Sequence, residues 1–311
     1  MLETEDKRTA GGNCGAELMP RQISFTIPNE YDNKKVVHFL RGSARLSSRL
    51  INSLKRVENG IMLNGSHART IDPIKDGDII TVNIPDDETA VEPIRIPLEI
   101  LYEDADIIAV NKSPFLAMHP THNHQGDTLA NAIAWHLAGK SNSAFRAIGR
   151  LDKGTSGIVI CALNKYSAAR LTGNIKKEYL AIAEGVFEGE GTIDMPICRP
   201  NPMKTIRACG MEGDRAVTHW QSLGCCNGVS ILRLILETGR THQIRVHFAH
   251  LGAPLVGDSM YGSTNTDISH QLLHCESAEF VHPITGEWLK VVAPMPSEMD
   301  EYAHKMQLLH I

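Results

Sequence analysis

The chain has 311 residues, 42% of them hydrophobic and 22% charged, with a net charge of −5. That length is enough for about two domains with a full apolar core, and the composition excludes a disordered chain, a collagen-like fibre and a coiled-coil rod. No run of 18 apolar residues reads as a membrane span, and the polar start MLETEDKRTAGGNCG lacks the core of a signal peptide, so a cytoplasmic protein is expected. The seven cysteines show no C-x-x-C spacing and read as reduced thiols.

Residues 1–20 read as a disordered leader and 21–85 as a small compact unit. Within it, Ile23, Phe25 and Ile27 alternate as in a strand, and Lys34 to Arg41 reads as a short helix. Leu46, Leu50, Leu54 and Val57 recur at helical spacing, with Ser47 placed to cap. GIMLNG gives a strand and an Asn64-Gly65 turn, and DGDIITVNI gives another strand. From Lys34 to Arg69 there are eight Lys and Arg against Glu58 alone, a local +7 on an acidic protein. Such a block is either a solvated face or an electrostatic footprint for phosphates.

The run PDDETAVEP reads as a linker, here placed at 86–94, with a second domain over 95–311. In that domain Ile107 to Asn111 is a strand. Asp127 to Ala138 is a helix with Asp127 as N-cap. Gly157 to Leu163 and Tyr179 to Val186 are apolar strands. Val217–Leu223 and Val229–Leu236 flank Asn227-Gly228 as a hairpin, and Thr241–Leu251 is a helix with Ile244, Phe248 and Leu251 on one face. Hairpins with inserted helices predict an α+β fold with a mixed, mainly antiparallel sheet, beside a small α+β N-terminal domain.

Three islands hold the unusual chemistry. In GRLDKGTSG, Asp152 precedes a buried strand, where a half-buried carboxylate makes its charge felt; the plain alternative is a turn residue. In KKEYLAIAEG, Tyr179 is either a core tyrosine or a ring able to stack on a base. In ETGRTHQIRVHFAHLGAPLVGD, His242 and Arg245 share a helix face at a helix start able to hold a phosphate.

Together, and in this order, the three islands resemble the characteristic blocks of the RluA-type RNA pseudouridine synthases. IIAVNKSPFLAMHP is similar to that family's first block, and HPITGEWLKVVAPMP to its closing strand pair. The pattern departs at Gly149, where histidine is usual, at Gly154, and in the loop Asn111–Phe115, where Asn-Lys-Pro-x-Gly is usual. The N-terminal unit resembles a small RNA-binding module of a ribosomal protein and of tyrosyl-tRNA synthetases.

The resemblance implies an isomerase that turns uridine in RNA into pseudouridine, with Asp152 as catalytic carboxylate, Arg245 as its charge partner, Tyr179 against the target base and Arg150 on the flanking RNA. Arg45, Arg49, Lys55 and Arg56 of the module would contact RNA. Ribosomal RNA is the first expected substrate and transfer RNA the second, acted on by a monomer without cofactor, metal or membrane. Two other readings compete with this one. The first is a metalloenzyme using His119, His122 and His124 or His242, His247 and His250. The second is a non-catalytic RNA-binding protein with a degenerate synthase domain.

Overall fold

The computed structural model describes residues 21–85, 91–121, 125–139 and 145–308. The expected leader, residues 86–90 of the expected linker, and His122 and His124 lie outside the described residues. The N-terminal unit opens with β1 (Arg21–Thr26), where Ile23 is buried between outward-facing Gln22 and Ser24. Two short helices follow, α1 (Val36–Arg41) and α2 (Ser48–Leu54). Ser47 caps α2 by accepting the Leu50 N–H at 3.1 Å, a bond of roughly 1 kcal/mol. Leu46, Leu50 and Leu54 are buried as their spacing predicts. Val57 falls beyond the helix, because the chain turns there with the Val57 N–H on the Leu54 carbonyl.

β2 (Ile61–Leu63), β3 (Ser66–His67) and β4 (Ile79–Ile84) complete a four-stranded antiparallel sheet in the order β1-β4-β2-β3. Asn64 and Gly65 turn β2 into β3 with φ of 50° and 81°, the left-handed pair that matches strand twist. The helices cover one face of this sheet, burying Phe39, Leu40, Ile51 and Leu54 against Ile23, Ile80 and Val82. Each such side chain contributes roughly 1.5–3 kcal/mol of burial.

The rest of the described chain forms a ten-stranded sheet with helices against it. It runs through β5 (Glu99–Glu103), β6 (Ile107–Lys112), α3 (Leu129–His136), β7 (Arg146–Ile148), β8 (Ser156–Ala162), α4 (Lys165–Leu171), β9 (Lys176–Glu184) and β10 (Glu190–Asp194). A small hairpin of β11 (Ile197–Cys198) and β12 (Ala208–Cys209) stands apart from the sheet. Then come β13 (Val217–Cys226), β14 (Val229–Leu236), α5 (Gln243–His250), β15 (Leu273–Val281), β16 (Trp288–Val292) and α6 (Ser297–Lys305). The order is β10-β13-β14-β9-β15-β8-β6-β5, with β16 on β15 and β7 on β8. The β15–β8 pair is parallel and the other described pairs are antiparallel, so the sheet is mixed and the fold is α+β. All seven residues of β8 are buried, which explains its unbroken apolar run.

Two helix starts differ from the sequence reading. The N-cap of α3 is Thr128, not Asp127: the fully buried Thr128 hydroxyl accepts the Asn131 N–H at 3.3 Å, whereas Asp127 is exposed. α5 starts at Gln243 rather than Thr241, because His242 has φ 59° and ψ 21°, a left-handed conformation that a helix cannot run through. Ile244 and Phe248 keep the buried face of α5, but Leu251 lies past its end and is 49% exposed.

The two sheets meet at Asp106. Arg21 forks onto its carboxylate with bonds of 2.8 and 2.6 Å, and Asn164 donates to the same group at 2.8 Å. Tyr166 of α4 packs into the first core, 6.2 Å from the Phe25 ring centre.

Candidate active site

Asp152 lies on the loop from β7 into β8. The loop is pinned where it enters β8: the Thr155 N–H reaches back to the Asp152 carbonyl at 3.1 Å, and the Gly154 N–H donates to the Pro114 carbonyl at 2.7 Å. Gly149 and Gly154 have φ of 80° and 91°, and a Cβ on Gly154 would run into the Gln271 side chain. The two glycine departures from the resembled pattern therefore sit where the backbone favours glycine. The Asp152 side chain is 19% exposed, at the floor of a cleft.

Arg245 comes from the first turn of α5 and is 5% exposed. Its guanidinium forks onto Asp258, Nε to Oδ2 at 2.7 Å and Nη2 to Oδ1 at 2.8 Å. Nη1 is thereby aimed at Asp152 Oδ2, 3.4 Å away. The Tyr261 ring lies under the guanidinium at 4.9 Å. Burial opposes the arginine's charge, but the hydrogen bonds and charge of Asp258 outweigh it and hold Arg245 protonated above its ordinary range. The other Asp152 oxygen faces His242, whose Nε2 is 3.9 Å from Oδ1. His242 Nδ1 is 2.8 Å from the Tyr261 hydroxyl, which accepts the Arg207 N–H at 3.0 Å. Burial pushes the His242 imidazole below its ordinary value, which favours the neutral form.

Behind the loop lies Lys112, the last residue of β6 and 1% exposed. Its Nζ donates to the Ser113 and Leu116 carbonyls at 2.8 and 3.0 Å. Burial lowers this lysine to about 7, with the Asp152 charge acting in the opposite direction. Tyr179, early in β9, is 8% exposed, and burial raises its phenol well above the ordinary value.

Three adjoining cavities of about 520, 90 and 470 Å³ open here, and Asp152 and Arg150 border all three. Tyr179 lines the first two and Arg245 the last two. The predicted Asp152, Arg150, Tyr179 and Arg245 thus come together around one cleft. Arg45, Arg49, Lys55 and Arg56 do not: they are exposed on the N-terminal unit. Among the described residues, one group of three metal-type ligands forms, Asp104, Asp106 and His282, with donor atoms within 4.8 Å. Its oxygens are already taken by Arg21, Asn164, Tyr102 and His282 itself.

Sequence reasoning did not single out Asp258 or Lys112. Asp258 closes the block GAPLVGD, and nothing local shows that it meets Arg245. Lys112 did carry a signal, since it ends a strand that is apolar at both alternating positions, where a lysine must be buried.

The family model for RNA pseudouridylate synthase matches residues 106–250. The chain is 35% identical over 271 residues to the uncharacterized RNA pseudouridine synthase YjbO of Bacillus subtilis, covering 84% of this chain and 95% of that one. The chain belongs to the RluA-type RNA pseudouridine synthases. These isomerases convert uridine in RNA to pseudouridine. This synthase is also 36% identical to ribosomal large subunit pseudouridine synthase D of Haemophilus influenzae, across 71% of this chain and 75% of that one. Among solved structures, human RNA pseudouridylate synthase domain containing 1 superposes with a TM-score of 0.53 at 26% identity, covering 68% of this chain and 95% of that chain. No described helix of the synthase is long and apolar enough to cross a membrane.

Proposed function

We propose that this synthase isomerises specific uridines of ribosomal RNA with Asp152 as its catalytic carboxylate. The observation that carries the reading is the setting of Asp152: one oxygen faces a clamped, buried arginine while the group borders open cavities also lined by Tyr179. In the reaction the bond from ribose C1′ to uracil N1 breaks, the base turns, and a bond from C1′ to C5 forms. N1 gains a proton and C5 loses one, so the reaction needs no electron donor. Cleavage builds positive charge on the sugar, and a carboxylate stabilises that charge or attacks it. Arg245 orients Asp152 through its Nη1 and sets a fixed positive charge beside it. Tyr179 forms the wall against which the flipped uracil rests, and Arg150 holds the RNA beside it. Flipping costs a few kcal/mol and least in loops, so the target lies in a loop or an opened helix.

Ribosomal RNA is the first substrate because relatives from several bacteria are named as large-subunit enzymes; transfer RNA is the second. The N-terminal unit is an RNA-binding module whose exposed Arg45, Arg49, Lys55 and Arg56 meet backbone phosphates. The synthase works as a cytoplasmic monomer. The test is carbodiimide labelling and primer extension on total RNA from cells with and without the gene. Discrete stops should vanish on deletion, return with the wild type, and stay absent with Asp152→Asn. That variant should lose at least about 10³-fold in kcat and keep its RNA affinity. Stops restored by Asp152→Asn would remove Asp152 from its role.

A further inference from the structure

On the side of Asp152 occupied by the 470 Å³ cavity stands Phe115, 66% exposed to solvent. An exposed aromatic ring on the border of this cavity offers a flat face on which a base can stack. Phe115 is also held in place rather than hung on a slack loop. Lys112 ties the carbonyls on either side of it, Ser113 and Leu116, and the Pro114 carbonyl takes the Gly154 N–H of the Asp152 loop. The His270 ring stands perpendicular to Phe115 with centroids 5.3 Å apart. His270 is fixed in turn by Glu298 at 2.7 Å. The same cavity is bordered by Arg150 and Lys153, two cations suited to a phosphate backbone.

Resting on the proposed reading of the cleft, we infer that Phe115 is a stacking platform for the nucleobase next to the target uridine, and so a determinant of which RNA sequence is accepted. The continuity of this cavity with those lined by Tyr179 selects the occupant. A strand whose uridine is turned into the Asp152 cleft must run on past its rim, and its next base has lost a stacking neighbour. An aromatic face replaces that neighbour for any base, with strength set by base size, and so favours purines.

The experiment uses the full-length protein and RNA from cells lacking the gene, labelled with tritium at uracil carbon 5. Bond formation at C5 releases the label, so turnover is read without knowing the modified site. Phe115→Ala should raise KM about 5- to 150-fold, the range for losing one base–aromatic stack, with kcat within about two-fold of the wild type. The slope of log KM against log salt should not change, because no charge is removed. Phe115→Trp should restore KM and Phe115→Leu should not. An unchanged KM for Phe115→Ala, or full rescue by leucine, overturns the stacking role while leaving the synthase reading intact. A fall in kcat at constant KM also overturns it, since Phe115 would then act only through the loop it shares with Lys112. No tritium release by the wild type removes the activity and the stacking role together.

Discussion

Arg245 and Arg49 carry the same guanidinium in opposite settings. Arg245 is 5% exposed, forked onto a buried aspartate and aimed at a second one. Arg49 lies on the short helix α2 of the N-terminal unit, exposed to solvent. A buried cation is tolerated only when its partners are fixed, and then its direction is fixed with it. An exposed cation keeps its freedom and its hydration, and serves any phosphate that comes near. One setting suits the orientation of a reacting group, the other suits loose attraction to a polyanion.

The strongest way to break this contrast is to remove the clamp. Asp258→Asn leaves Arg245 charged, buried and no longer forked to an anion. It should cost about 3–5 kcal/mol of stability, the usual result of breaking a buried pair. It should also cost kcat about 100-fold or more, because Nη1 is no longer aimed at Asp152. Urea unfolding and the tritium-release rate measure the two effects; wild-type values in both would mean that Asp258 does not position Arg245.

A second, smaller effect concerns the other buried cation. Lys112 falls from 10.5 to about 7 on folding. A depressed value means its contribution is fully present above the unfolded value and is lost as pH falls through the folded one. The wild type should therefore gain on the order of 2–4 kcal/mol relative to Lys112→Met as pH rises from 7 to 10. The comparison is made between the two proteins because the buried thiols of Cys161 and Cys275, raised by burial, act in the opposite sense in both. Parallel stability curves for wild type and variant would show that Lys112 stays charged in the fold.

The smallest effects belong to the exposed face. Replacing Arg49 and Arg56 by alanine should leave stability and kcat nearly unchanged. RNA affinity should fall, and the slope of log K against log salt should shrink by about 1–2, because two phosphates go without their cations. An unchanged slope would make this face merely solvated.

Much of this arrangement was legible from local rules. Ser47 as a cap and the left-handed Asn64-Gly65 and Asn227-Gly228 turns depend only on near neighbours in the chain. The buried run of β8 is readable because a strand covered on both faces must be apolar throughout. Misreadings fell where a distant contact decides the outcome. Asp127 and Thr128 are both good caps by type, and the buried setting of Thr128 selected it. Thr241 looked helical until His242 adopted its left-handed conformation, with its ring bonded to Tyr261.

The sequence by itself determined the α+β class, through period and turn signals, and its resemblance to known blocks pointed to the family and to Asp152, Tyr179, Arg150 and Arg245 as residues worth watching. Only the tertiary structure decided which of them meet and in what state. Asp258 is 13 positions after Arg245, and Lys112 is 40 before Asp152. Burial converts those separations into a clamped arginine and a lysine lowered to about 7. Desolvation and charge pairing depend on distance in space, and that distance is set by strands of one sheet brought together from across residues 99–292.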